Sequence, residues 1–249
     1  MPKKILNKKE GESFESILKE NWKERFLDSC EQDWKKKWFL DGEIGTVSHD
    51  PKGMTLTAGS EFKNDAHHMV LWTKDIFEGD LKIEYDYTRL DNARKCVNIL
   101  YVQATGSGEH PYTYDIYESR ALRKVPAMKE YFDKMNCYHI SYAAFGNNDE
   151  SVEQYIRARR YMPHQTGLKG SDLKPDYFPE GLFAHGEKHH LVFIKKERDI
   201  YVKVENDSQI YYCHMQNTAL PPVQSGRIGL RHMFTRSAKY RNIQICNKG

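Results

Sequence analysis

Residues 136–145 read NCYHISYAAF, and their alternation decides the fold class. Taken as a strand, the run points Cys137, His139, Ser141 and Ala143 to one side, and Tyr138, Ile140, Tyr142 and Ala144 to the other. Ile140 and the two tyrosines favour extended backbone, and Gly146-Asn147-Asn148-Asp149 closes the run as a turn. A second aromatic and basic run follows, Tyr155-Ile156-Arg157-Ala158-Arg159-Arg160-Tyr161. As a strand it sets Arg157 and Arg159 on one face. The two strands are expected to carry a concave site in which His139, Arg157 and Arg159 face an acidic or hydroxyl-rich ligand. Tyr142 has the opposite parity from His139 and joins that site only where a bulge re-aims it.

The same rhythm extends outward in both directions. Towards the N-terminus, DLKIEYDY at 80–87 places Leu81, Ile83, Tyr85 and Tyr87 on one face and Lys82, Glu84 and Asp86 on the other, a half-buried strand. CVNILYVQA at 96–104 is apolar almost throughout and reads as an inner strand. Shorter runs at 38–40, 44–47, 54–57 and 67–72 precede them, with a turn at His49-Asp50-Pro51-Lys52-Gly53. Towards the C-terminus, strands are expected at 189–195, 200–204, 209–214, 227–233 and 240–246, with Asn206-Asp207 as a tight hairpin. Residues 115–135 break the pattern and suggest helical turns interrupted by Pro126. Residues 162–184 hold three prolines and three glycines and read as a long loop. About a dozen short strands with one helical insertion predict an all-β, two-sheet jelly-roll sandwich over 34–249. Residues 1–33 are expected to be an arm packed on it. Phe14, Ile17, Leu18, Trp22 and Phe26 at helical spacing make part of that arm an amphipathic helix.

Composition narrows the function classes. The chain has 249 residues, 12 % of them aromatic, and 16 of those aromatics are tyrosines, which suits strands and sugar-stacking surfaces. A formal charge of +3, evenly mixed, argues against nucleic acid. Cys30, Cys96, Cys137, Cys213 and Cys246 are dispersed and show no CxxC spacing, so they read as small buried hydrophobes in a reducing compartment. No apolar run has the length of a membrane span or signal peptide. The expectation is a soluble protein, cytoplasmic if Met1 is native and otherwise exported with its leader removed. His67-His68 and His189-His190 are sequential pairs whose members point to opposite faces in a strand, so neither pair chelates one metal ion. No cofactor is expected, although a structural calcium ion is compatible with such a fold.

Several segments, in order, resemble one pattern: DAHHMVLW at 65–72, FEGD at 77–80 with Tyr85-Asp86-Tyr87, HISY at 139–142, and GRIGLRHM at 226–233 with YRNI at 240–243. Together they are similar to the YesU family, a domain family of unknown function in the concanavalin-A-like lectin and glucanase superfamily. That resemblance implies a jelly roll with a concave face, and an association with pectin and rhamnogalacturonan use. An acidic poly- or oligosaccharide is therefore the expected partner.

Three chemistries fit such a partner. β-Elimination on a uronate needs a cation on the carboxylate, a base and an acid. Arg157 and Arg159 supply planar forks for the carboxylate, His139 the base and Tyr142 the acid, with Gln103 and His68 assisting. This reading stands slightly ahead of hydrolysis, which needs two carboxylates about 5–10 Å apart. Glu84 and Asp86 lie two apart, roughly 7 Å on one strand face, yet Lys82 continues their row and marks it as a solvated face. Asp115 and Glu118 are a second, equally weak pair. A binding module needs no catalytic group, and Trp72, Tyr101, Tyr112 and Tyr114 offer aromatic faces to sugar rings.

Overall fold

The computed structural model describes residues 2–146, 153–165 and 167–249. The turn expected at 147–149 lies outside the described residues. In chain order the elements are β1 (Lys4–Leu6), α1 (Lys8–Leu18), β2 (Trp22–Asp28), β3 (Trp38–Asp41), β4 (Thr46–Asp50), β5 (Gly53–Thr57), β6 (Met69–Thr73), β7 (Phe77–Glu78), β8 (Leu81–Arg89) and β9 (Asn98–Gly106). There follow α2 (Met128–Phe132), β10 (Met135–Ala144), β11 (Tyr155–Tyr161), β12 (Asp172–Tyr177), β13 (Lys188–Lys196), β14 (Asp199–Glu205), β15 (Gln209–Met215), β16 (Ser225–His232) and β17 (Ser237–Lys248). The described strands form two sheets stacked as a sandwich, so the expected all-β jelly roll is what the chain adopts.

The first sheet runs β1-β15-β14-β13-β8-β17-β5-β4. Its centre is β8 against β17. On its other side β17 takes β5 along Ser237 to Tyr240 and β2 along Ile243 to Lys248, so the last strand binds three neighbours. The second sheet runs β12-β11-β10-β9-β16-β6-β3, with β7 beside β16. The inner faces meet in one apolar layer that includes Tyr85, Tyr87, Phe193 and Tyr240 from the first sheet and Leu100, Tyr138, Ile140 and Ile156 from the second. β8 buries every second residue, as its alternation requires, and leaves Lys82, Glu84 and Asp86 on the solvated face. Burying one such aromatic side chain contributes roughly 1.5–3 kcal/mol.

Two expectations are corrected here. Trp22 and Phe26 are not on the helix: α1 ends at Leu18, and both belong to β2, which pairs with β17. Phe14 and Ile17, with Leu18 beside them, form the buried helical face, against Val192, Ile194 and Tyr212. Residues 162–184 are not all loop either, because β12 adds an edge strand beside β11. Pro175 sits within it, and an edge strand tolerates the missing N–H.

The outer face of the second sheet is covered as well. Residues 107–134, between β9 and β10, fold back over it as a roof containing α2 and the helical turn Arg120–Arg123. A second apolar cluster forms underneath, with Trp72, Tyr101, Cys137 and Tyr161 from the sheet and Ile116 and Tyr131 from the roof. The expected open trough is therefore closed along most of its length.

Candidate functional site

Cross-strand register lines up Phe39, Trp72, Gly229, Tyr101, His139, Arg159 and Asp172 as one row across the outer face of the second sheet. Glycine is required in that row. A Cβ on Gly229 would come within 2.4 Å of the Trp72 ring, which lies across β16 to stack on Tyr101 at 5.4 Å and 17°. The neighbouring row holds Asp41, Val70, Arg231, Ile99, Ser141 and Arg157. His139, Arg157 and Arg159 thus share one face, as their parity requires, and Trp72 and Tyr101 lie on it too.

They do not share access to solvent. His139 is 1 % exposed, with its ring stacked on Tyr161 at 5.0 Å. Its Nε2 lies 3.3 Å from the Ser141 hydroxyl, and its Nδ1 has no partner. Burial, with the charges of Arg159, Arg231 and Arg157 behind it, pushes the imidazole well below its ordinary pKa. Both arginines are already neutralised. Arg157 donates through Nε and Nη2 to Asp176 at 2.8 and 2.6 Å, and Arg159 donates through Nε to Asp172 at 2.9 Å.

Tyr142 is on the other side of the sheet. A bulge does occur in β10, between Ser141 and Ala144, but it turns Ala143 inward and leaves Tyr142 in the inter-sheet layer. The Tyr142 hydroxyl meets Tyr240 at 3.0 Å, and burial raises its pKa to about 12. Elimination needs base, acid and carboxylate clamp around one atom, and these residues do not surround one. Gln103 is likewise a structural tie: its amide donates to the carbonyls of Phe77, Gly79 and Gln224 at 3.3, 2.9 and 3.1 Å. His68 is buried beneath the roof, held neutral by burial and by Arg231, its pKa down to about 2. Its Nδ1 therefore accepts from Arg231 Nη2 at 2.7 Å. Trp72 and Tyr101 are fully buried and offer no face to a ligand from solution.

The carboxylates weighed for hydrolysis are on the solvated face of the first sheet. His190 sits between them, with Nδ1 2.9 Å from Asp86 and Nε2 3.8 Å from Glu84. The His190 contact, aided by Lys82, holds Glu84 near pKa 2, and Glu84 in turn raises His190. A carboxyl that ionises so readily makes a poor general acid. Asp115 is engaged by Arg227 at 2.7 and 2.9 Å.

Asp86 lines a cavity on the solvated face of the first sheet, and Tyr112 lines a separate, open one under the edge of the roof. Its hydroxyl donates to Glu130 at 2.6 Å, and the Lys134 ammonium is 5.3 Å from the centre of its ring. The cavity, of about 220 Å³, lies where the start of the roof, the end of α2 and the segment after β11 converge. Glu109, His110, Asp133, Lys134, His164 and Gln165 complete its wall. Sequence reasoning missed these except for the neighbourhood of Tyr112, since the wall is assembled from three separated loops. The signal that was present was the Pro111-Tyr112-Thr113-Tyr114 run, whose Tyr114 is 71 % exposed. Among the described residues no group of three His, Cys, Asp or Glu side chains could hold a metal ion, and no helix is long and apolar enough to cross a membrane.

A family model described as a domain of unknown function, DUF1961, matches residues 26–245. No curated protein matches the chain. Among solved structures, a Bacillus subtilis protein of unknown function with a galectin-like fold is similar at 18 % identity and a TM-score of 0.68, covering 92 % of this chain and 100 % of that one. The lumenal domain of VIP36, solved with calcium and Man3GlcNAc, is similar at 9 % identity and 0.57, covering 91 % and 90 %. Basic winged bean lectin, solved with Tn-antigen, is similar at 8 % and 0.58, covering 89 % and 96 %. At these identities the likeness is one of fold.

Proposed function

The chain belongs to the DUF1961 family, and on that premise we propose that it is a carbohydrate-binding protein whose accessible site is the cavity around Tyr112. The observation that carries the reading is the composition of that wall: one aromatic ring among carboxylate, amide, imidazole and ammonium groups, around a volume of about 220 Å³. That is the scale of a single sugar ring, and it is how proteins hold one, with an apolar face against an aromatic and hydroxyls against polar groups. The lectin-like neighbours add support at the level of fold. An acidic glycan suits the site, since the Lys134 ammonium in its wall offers a carboxylate a cation.

Binding without turnover is the reading the geometry supports best, because the groups expected to perform elimination are buried, paired or on opposite faces. Glycan-array screening followed by calorimetry tests the proposal. Tyr112→Ala is expected to weaken the best glycan at least tenfold while leaving the melting temperature within a few degrees. Unchanged affinity would remove the cavity from the proposal. Incubation with uronate oligosaccharides tests the non-catalytic part, and an unsaturated product absorbing in the near ultraviolet would overturn it.

A further inference from the structure

We propose that Tyr131 is a displaceable plug in a second, deeper saccharide subsite under the roof, and that this subsite takes a uronate ring. The inference rests on the carbohydrate reading and deepens it. Trp72 and Tyr101 form a continuous aromatic floor, and the Tyr131 ring of α2 lies on both, 6.4 Å and 14° from Trp72 and 5.6 Å and 6° from Tyr101. Its hydroxyl donates to Asp41 Oδ2 at 3.1 Å. A pyranose bound here would do the same two things: lay an apolar face on the aromatic floor and give a hydroxyl to a carboxylate.

Two polar groups flank this ring with unmet capacity. Asp41 receives Trp72, Arg123 and Tyr131 all on Oδ2, while its buried Oδ1 has no partner. Arg231 is fully buried, with its guanidinium 4.5 Å from the centre of the Tyr131 ring. It uses only Nη2, on the Pro126 carbonyl and His68, and its Nε and Nη1 are unpaired. Among the described residues it forms no ion pair. A buried guanidinium left in that condition is costly, and a carboxylate would give its free Nη1 or Nε a charge-assisted hydrogen bond. Asp41 and Arg231 sit in one cross-sheet row with Val70 between them, so their backbones are about 10 Å apart. That span lets one sugar reach both, carboxylate to Arg231 and hydroxyl to Asp41.

The plug is on a short element coupled to the open cavity. α2 has five residues; its Glu130 accepts from Tyr112, and Asp133 and Lys134, which follow it, line the cavity wall. A glycan seated at Tyr112 is thus next to the element that must move.

Calorimetry with trigalacturonate, and with galactotriose as the neutral control, tests the plug. Tyr131→Ala is expected to bind trigalacturonate at least tenfold more tightly than wild type, with galactotriose unchanged. Adding Arg231→Gln should abolish the gain. A folded Tyr131→Ala with no gain overturns the proposal. If that variant does not fold, hydrogen exchange on the wild type decides: trigalacturonate should accelerate exchange across residues 120–132, and protection or no change overturns the plug. Binding lost in Tyr112→Ala but not raised in Tyr131→Ala would retain the surface cavity and sink the deeper subsite alone.

Discussion

Tyr142 could have joined His139 only through a bulge that re-aimed it, and the two face opposite ways, for a reason visible one peptide unit at a time. In a strand, parity is fixed unless a residue is inserted, and the insertion in β10 falls at Ala143, whose φ of 44° turns the chain after Tyr142 has already pointed inward. The Tyr142 hydroxyl then joins a chain of polar contacts inside the apolar layer: Tyr240 at 3.0 Å, and from Tyr240 to His232 Nε2 at 2.8 Å. Tyr142→Phe removes one of two contacts on Tyr240, so urea unfolding should show a loss of about 1 kcal/mol. Glycan affinity should not change, because no atom of Tyr142 reaches either candidate subsite. A variant that loses glycan affinity but keeps its stability would return Tyr142 to the site.

At the scale of elements, the roof decides what the second sheet can do. Ion pairs attach it to the sheet: Asp115 with Arg227 of β16, and Arg123 with Asp41, the latter with Nε 2.5 Å from Oδ2 and both side chains buried. Arg123 also donates to the carbonyls of Ile116 and Ser119, closing the helical turn on which it sits. Arg123→Met leaves a buried carboxylate without its counter-charge, a change that costs about 3–5 kcal/mol. The roof should also exchange amide hydrogens faster than the sheet beneath it. Uniform exchange across both would mean that the roof and sheet unfold as one unit. Sequence carried a hint of this cover: 96–104 is apolar on both parities, the mark of a strand buried on two faces. The same face was nevertheless read as a trough, because Tyr131 and Ile116 look like ordinary helix hydrophobes until their partners across the fold are known. β12 and β2 escaped notice for local reasons, the first broken by Pro175 and the second disguised by helical spacing that runs on from α1.

At the scale of the molecule, the legible part was the sandwich. Alternation in β8, the Asn206-Asp207 hairpin and the C-terminal strand series each follow from period-two patterning, and those elements carry the inter-sheet layer. Sites drawn from several loops leave no such period, so the cavity at Tyr112 could not be assembled from sequence. The sandwich also buries imidazoles. His68, His139 and His232 all have depressed pKa values, to about 2, well below the ordinary value and to about 4, each mainly through burial. The folded state keeps them neutral while the unfolded chain protonates near pH 6.5, so their contribution is complete above that value and is lost as pH falls below it. With His189, likewise depressed by burial, four such groups give a slope of roughly 5 kcal/mol per pH unit below about pH 6. The His190 pair with Glu84 opposes it, since a raised histidine favours the fold at lower pH. Urea midpoints measured from pH 7.5 down to 5 should fall steeply, and a flat profile would mean these rings are hydrated.

The pairing of β17 with β8, β5 and β2 has a consequence for biosynthesis. A strand taken from residues 237–248 fills the middle of the first sheet, so a nascent chain emerging from a ribosome lacks the piece that joins β8 to β5 and β2. Until that piece is delivered, the inward tyrosines of β8 lack their central neighbour, and the half-made sandwich is the form a chaperone would meet.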